Sequence, residues 1–184
     1  SYALNRGTLS HEQAVALLNT YQARRAQNEG SIFAEWYSID APFKYGFSTP
    51  GEYVNGGIMP LVGGELARGA FENGFESYGV DILRRYYAMI ERDGGSYLWY
   101  HTDGRPGISS DATLSTDGWG SSEMLSAMTE GLAGVIDNGK LYQNVNLSPR
   151  WAATDRTDVS VALQYPASGA YVAYHLNLNL DNSI

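Results

Sequence analysis

The run MPLVGGELARGAFENGFESYGVDILRRYYAMIER, residues 59–92, decides how this chain folds. Its first half carries Val62, Leu66, Ala67, Ala70 and Phe71 at helical spacing. They follow Pro60, whose missing N–H suits a first helical turn. Gly74 then stands where a residue of positive φ is wanted after a helix C-terminus. A second periodic stretch begins almost at once, with Val80, Leu83, Tyr87 and Ile90 on one face. The spacing predicts helices over 59–73 and 76–92, and so short a link makes them an antiparallel hairpin. Gly63, Gly64 and Gly69 each cost about 1 kcal/mol of helix propensity against Ala. That cost is tolerated where a helix or a ligand comes close to the backbone.

Upstream, Ala14, Leu17, Leu18 and Tyr21 predict a helix over 11–27, opened by a capping box of Ser10 and Gln13. Residues 28–57 have no periodicity. They interleave Gly30, Pro42, Gly46, Pro50, Gly51, Gly56 and Gly57 with Phe33, Trp36, Tyr37, Phe43, Tyr45, Phe47 and Tyr53. A loop of roughly 30 residues is usually functional or disordered. Disordered linkers are poor in aromatics, so this reads as an ordered loop lining a site. Downstream, a second glycine-rich loop spans 93–118 and holds Trp99, Tyr100, His101 and Asp103. A helix follows over 119–133, with Ser121, Met124, Leu125, Met128 and Leu132 expected to face inward.

The period then changes to two. Val159, Val161, Leu163 and Tyr165 alternate with polar partners over 157–165. Val172, Tyr174, Leu176, Leu178 and Leu180 do so over 170–180, opposite Tyr171, Ala173, His175, Asn177 and Asn179. With a fainter strand near 140–147, this predicts an antiparallel module of about three strands. The fold class expected is therefore α+β: helical hairpins over 1–138, then a small antiparallel β cap over 139–184.

Composition narrows the function. The 184 residues hold 43% hydrophobic and 17% charged residues, enough for a core and too few charges for a disordered chain. No apolar stretch approaches the roughly 20 residues of a membrane span. The formal charge of −8 disfavours a nucleic-acid partner. Cysteine is absent, and His11, His101 and His175 are too scattered to suggest a metal cluster, so neither metal nor cofactor is implied. Twenty-one glycines, 14 tyrosines and 4 tryptophans lean towards carbohydrate, whose rings stack on aromatic faces. The chain opens on Ser-Tyr-Ala, without an initiator Met or signal-peptide core, and reads as a mature, trimmed or partial chain. Location stays open, with a lean towards secreted or periplasmic.

Two stretches carry a resemblance. Gly51-Glu52-Tyr53-Val54-Asn55-Gly56-Gly57-Ile58-Met59-Pro60 leads into one helix. Thr116-Asp117-Gly118-Trp119-Gly120-Ser121-Ser122 leads into another, which ends Glu130-Gly131-Leu132-Ala133-Gly134-Val135. In order and spacing, over roughly 40–150, these resemble the closing part of the six-hairpin, (α/α)6-barrel glycosidases. The resemblance implies a twelve-helix barrel with a sugar cleft at one mouth, of which this chain supplies about four helices. The bare inner faces of so partial a wall call for completion, by the same polypeptide or by another chain. It implies a glycoside hydrolase working with paired carboxylates on an oligosaccharide or glycoside.

Each candidate has a second reading. Glu52 and Asp117 are the catalytic acid/base candidates. Glu52 otherwise is a solvated loop residue, and Asp117 otherwise is the N-cap of its helix. Tyr53, Asn55, Trp99, Tyr100 and Trp119 are the substrate-binding candidates. For Trp99 and Tyr100 the alternative is packing against the barrel, and for Asn55 a glycine turn that caps a helix. Some six-hairpin hydrolases carry their base Glu near Trp99, where this sequence has none. That departure favours a rival, a non-catalytic carbohydrate-binding or scaffold module. A second rival, an inverting glycoside phosphorylase, would hold phosphate at the Gly118-Trp119 turn, where Asp117 would repel it. Glu65, Glu72 and Glu123 are expected on solvated helix faces, and His175 is expected to lack an acid partner.

Overall fold

A computed structural model describes residues 1–27, 35–38, 49–107 and 116–178. Outside the described residues lie the aromatic positions Phe33, Phe43, Tyr45 and Phe47, the middle of the second loop, and the strand end at Asn179 and Leu180.

Helix α1, His11–Gln27, begins where the capping box puts it. The Gln13 N–H donates to Ser10 Oγ (3.2 Å), and the Ser10 N–H donates to Gln13 Oε1 (2.9 Å). Ala14 and Leu18 are buried, and Leu17 and Tyr21 pack beside them. Ser10→Ala leaves one of these orphan amides without its acceptor. It should cost about 1 kcal/mol, seen as a melting point lower by about 2–4 °C in a chain of this size.

Helix α2, Pro60–Glu72, and helix α3, Glu76–Asp93, form the expected antiparallel hairpin. Gly74 takes φ +79° between them, and Gly94 ends α3 at φ +71°. Helix α4, Gly118–Ser126, continues as a π-helical segment, Ala127–Leu132, so the region is not one uninterrupted α-helix. Glycines set how α2 and α4 pack. A Cβ on Gly120 would lie 2.6 Å from Pro60, one on Gly64 2.7 Å from the Glu123 backbone, and one on Gly131 2.4 Å from the Phe71 ring. These contacts advance in the same direction along both elements, so α2 and α4 run parallel while α3 returns antiparallel beside them. Trp36, Val62, Leu66, Phe71, Ile82, Met89, Trp99 and Tyr100 fill the core.

Several expectations need correction. On α3 Val80 is buried and Leu83 and Ile90 pack against the core as expected, whereas Tyr87 is exposed; Tyr78, Gly79, Ile82, Arg85, Tyr86 and Met89 are also buried. Leu125 on α4 (58%) and Met128 on the π-helical segment (49%) are exposed and do not face inward. α2 covers one flank of α4 only, and Ser122 and Leu125 lie on the uncovered side. A 3-10 turn at Tyr2–Asn5, unforeseen from the sequence, lays Leu4 against Gly69.

The C-terminal strands make two separate hairpins rather than one three-stranded module. Strand β1, Val135–Asp137, pairs with β2, Val145–Leu147, across the connection at 138–144. Strand β3, Asp158–Gln164, pairs with β4, Tyr171–Asn177, in the register Val161↔Tyr174. Residues 140–142 are turn, with Leu141 and Tyr142 at positive φ, which shortens the strand expected at 140–147. Side chains tie the hairpins to each other and to the end of the π-helical segment. Tyr165 Oη donates to Asp137 (3.1 Å), Trp151 Nε1 donates to Tyr174 Oη (2.7 Å), and Tyr174 Oη donates to the Ala133 carbonyl (2.8 Å).

Candidate functional site

Backbone hydrogen bonds gather three loops at one end of the helical layer. The Ile58 N–H donates to Tyr100 O (2.8 Å), and the Tyr100 N–H returns to Ile58 O (2.7 Å). The Met59 N–H donates to Trp36 O (2.6 Å), the Gly107 N–H to Trp99 O (2.9 Å), and the Asp117 N–H to Ser96 O (3.3 Å). Helix α2 starts at Pro60 and α4 at Gly118, immediately after these bonded residues. The loops at 51–57, 97–104 and 116–120 therefore meet where both helices present their free N–H groups and partial positive charge.

The candidate residues divide by depth at this mouth. Trp119 is 62% exposed and offers an open ring face. Asp117 is half-buried, and its carboxylate accepts from the Trp119 N–H (3.1 Å), which makes it the N-cap of α4. Glu52 is half-buried in a tight turn, where its carbonyl accepts from the Asn55 N–H (2.9 Å). Tyr53 holds the next position at φ +45°, a strained left-handed conformation for a side chain of this size, and packs against the core. Asn55 is buried. Trp99 (1%) and Tyr100 (0%) are inside the core, so neither ring presents a face to a ligand. A Cβ on Gly107 would fall 2.1 Å from the Trp99 indole, so backbone covers that face. Both rings form the floor of the mouth.

A cavity of about 420 Å³ opens beside the α4 N-terminus, lined by Tyr86, Ile90, Ser96, Thr116, Asp117 and Ser121 with Gly95 and Gly118. Glu52 is not among its lining residues. Tyr86 Oη and Ser96 Oγ are shielded from solvent, and the Ser96 and Ser121 hydroxyls are close enough to the phenol to act on it by hydrogen bonding. Burial pushes the Tyr86 phenol up; the nearby Ser96 and Ser121 hydroxyls pull it down, and the Asp117 charge pushes it up. No family model, curated protein or solved structure matches this chain. The geometry of its side chains is therefore what speaks for its chemistry.

Three carboxylates behave differently from their place in sequence. Glu35, which no sequence signal singled out, is fully buried against Arg85. Glu65 is buried and not on a solvated face: Arg6 Nη2 donates to its Oε1 (2.5 Å) and Arg6 Nη1 to its Oε2 (3.0 Å), with Asn5 alongside. Glu123, one helical turn beyond Trp119, pairs with Arg68 (3.4 Å), and burial followed by the Glu65 charge pushes its carboxyl up. His175 does have an acid nearby, Asp158 at 3.6 Å across the hairpin, and its Nδ1 lies 3.1 Å from Ser160 Oγ. That group is open to solvent on a strand face and lines none of the cavities described. Among the described residues no cluster of His, Asp and Glu could hold a metal ion, and no helix is long and apolar enough to cross a membrane.

Proposed function

We propose that this chain is part of the wall of an (α/α)6-type barrel in a glycoside hydrolase, with a glycan bound at the mouth formed by the α2 and α4 N-termini. The observation that carries this reading is the parallel run of α2 and α4 into one mouth, with Asp117 and Trp119 at its rim. In such a barrel α2 and α4 are inner helices and α3 an outer one. The uncovered flank of α4, with Ser122 and Leu125, is then the place for a further helix, as α2 covers the other flank. Trp119 stacks on a sugar ring, and Asp117 acts as one carboxylate of the pair.

A second reading is supported by a specific observation. Asp117 already caps a helix, while Asn55, Trp99 and Tyr100 are buried, which suits a non-catalytic carbohydrate-binding module.

Incubation with a panel of glycosides, with and without phosphate, separates the readings. Hydrolysis without phosphate supports the hydrolase, phosphate-dependent cleavage a phosphorylase, and binding without cleavage the binding module. Asp117→Asn should lower kcat by about 100-fold or more. Its stability should hold, because Asn caps a helix as well as Asp does. Trp119→Ala should weaken substrate binding more than folding, since most of the ring is already in water. Wild-type turnover in the Asp117→Asn variant would remove Asp117 from the chemistry.

A further inference from the structure

A second cavity, of about 440 Å³, is lined from α3, the π-helical segment and residues 151–156. Val80 and Leu83 on α3 and Met128 and Leu132 on the π-helical segment give it aliphatic walls, and the Tyr87 and Trp151 rings flank them. Met128 is 49% exposed and Tyr87 63%, so both leave apolar surface in water beside one concavity. Turns of π-helix are rare and are kept mostly at functional sites, and this one supplies both Met128 and Leu132 to the lining. We propose that this cavity binds a small amphipathic acid, with its apolar body against these walls and its one carboxylate paired with Arg156.

The polar groups of the lining select this class. The uncharged ones are already bonded elsewhere: Tyr87 Oη donates to Glu91 (3.0 Å), Trp151 Nε1 to Tyr174 Oη (2.7 Å) and Thr154 Oγ1 to the Trp151 carbonyl (2.7 Å). A sugar would therefore meet hydrocarbon where its hydroxyls need partners. Of the charged groups, Arg84 pairs with Asp155 (3.0 Å). Arg156 is exposed, and its backbone N–H donates to Thr154 Oγ1 (3.1 Å), but its guanidinium has no ion pair or hydrogen bond among the described residues. Two guanidiniums against one carboxylate leave this rim positive in a chain of formal charge −8. Such a rim attracts a carboxylate and repels an ammonium, and a guanidinium can take both carboxylate oxygens at once. The volume lies in the range of small-molecule sites. A stable protein partner would need roughly 800 Å² on each side, far more than one such concavity offers. Met128, unbranched and polarizable, can fit its side chain to the ligand body.

Glycan binding at the mouth and acid binding here can each fail alone, since the two cavities share no lining residue. The probes are octanoate and 4-phenylbutyrate, the corresponding alcohols and amines, and acetate as an acid without an apolar body, all titrated calorimetrically into the full chain. At least one of the two larger acids should bind, with its alcohol, its amine and acetate each at least ten times weaker. Binding of octanoate alone identifies a flexible body, and binding of 4-phenylbutyrate alone an aromatic one. Arg156→Gln should weaken the acid at least tenfold and leave the alcohol unmoved, and Arg156→Lys, which keeps the charge, should restore most of the affinity. Met128→Gln should weaken acid and alcohol by the same factor. Both side chains are exposed, so all three variants should melt with the wild type. No binding of either larger acid, an alcohol or amine that binds as tightly as its acid, or unchanged acid affinity in Arg156→Gln or in Met128→Gln would each overturn the proposal.

Discussion

Replacing Arg85 with alanine should destabilise the protein by about 3–5 kcal/mol, because it strands a buried carboxylate. Glu35 has no exposed surface. Arg85 donates to it through Nη1 (3.1 Å) and Nη2 (2.6 Å), and Tyr78 Oη adds a third bond (2.9 Å). The same guanidinium reaches Asp81 (2.8 Å) and lies 4.9 Å from the centre of the Trp36 ring. Without it, among the described residues the Glu35 charge keeps only the Tyr78 hydroxyl, whose phenol is already pushed well up by burial and then by that charge. The double variant Glu35→Met/Arg85→Met removes both charges and should recover most of the loss, since apolar replacement of a buried pair is often neutral or better. Denaturant unfolding of the three proteins measures this. A loss below about 1 kcal/mol in Arg85→Ala would mean that water reaches Glu35 and that the pair is a surface one.

This pair shows why part of the molecule could not be read along the chain. Its members stand 50 residues apart, and neither belongs to a periodic pattern that reports its partner. The same holds for Glu65. Its position in the chain suggests an ordinary charged helical residue, and only the 3-10 turn at Tyr2–Asn5, folded back on α2, buries it against Arg6. Local features were legible because their causes are local. The Ser10–Gln13 capping box, Pro60 at the start of α2 and the positive φ of Gly74 each depend on residues within one turn. The alternation that announced β3 and β4 likewise needs only a strand with two faces. It carries no information on which strands share a sheet, which is how two hairpins came to be expected as one module.

The mouth was legible in outline and misread in depth. Glycines and aromatics marked loops that the bonds between Ile58 and Tyr100 bring together. Aromatic residues serve equally as sugar platforms and as core, however, and composition does not choose between the two. For Trp99 the choice is made by Gly107, whose backbone lies against the indole. On α4 the inward-facing stripe was misplaced for a related reason. Leu125 is apolar, and the sequence cannot report that α2 occupies only one flank of the helix.

Gly64→Ala should cost about 2 kcal/mol even though alanine is the better helix former. The gain in propensity is about 1 kcal/mol. Against it, the new Cβ would lie 2.7 Å from the Glu123 carbonyl carbon and 2.8 Å from the Met124 nitrogen. Both are backbone atoms of α4, so no flexible side-chain end can yield and the helices must separate, an overpacking cost of about 3 kcal/mol at the upper end of its usual range. Gly95→Ala is the control: nothing lies within 4 Å of its Cβ position and its φ is not positive, so stability should change by less than about 0.5 kcal/mol. The two helices carry the loops of the mouth on their N-termini, so a shift between α2 and α4 also moves Trp119 relative to the 51–57 loop. Gly64→Ala should therefore weaken ligand binding in the fraction that remains folded. If Gly64→Ala is instead more stable by its propensity gain, α2 and α4 are not in backbone contact. The parallel inner-wall packing on which the barrel reading stands would then be lost.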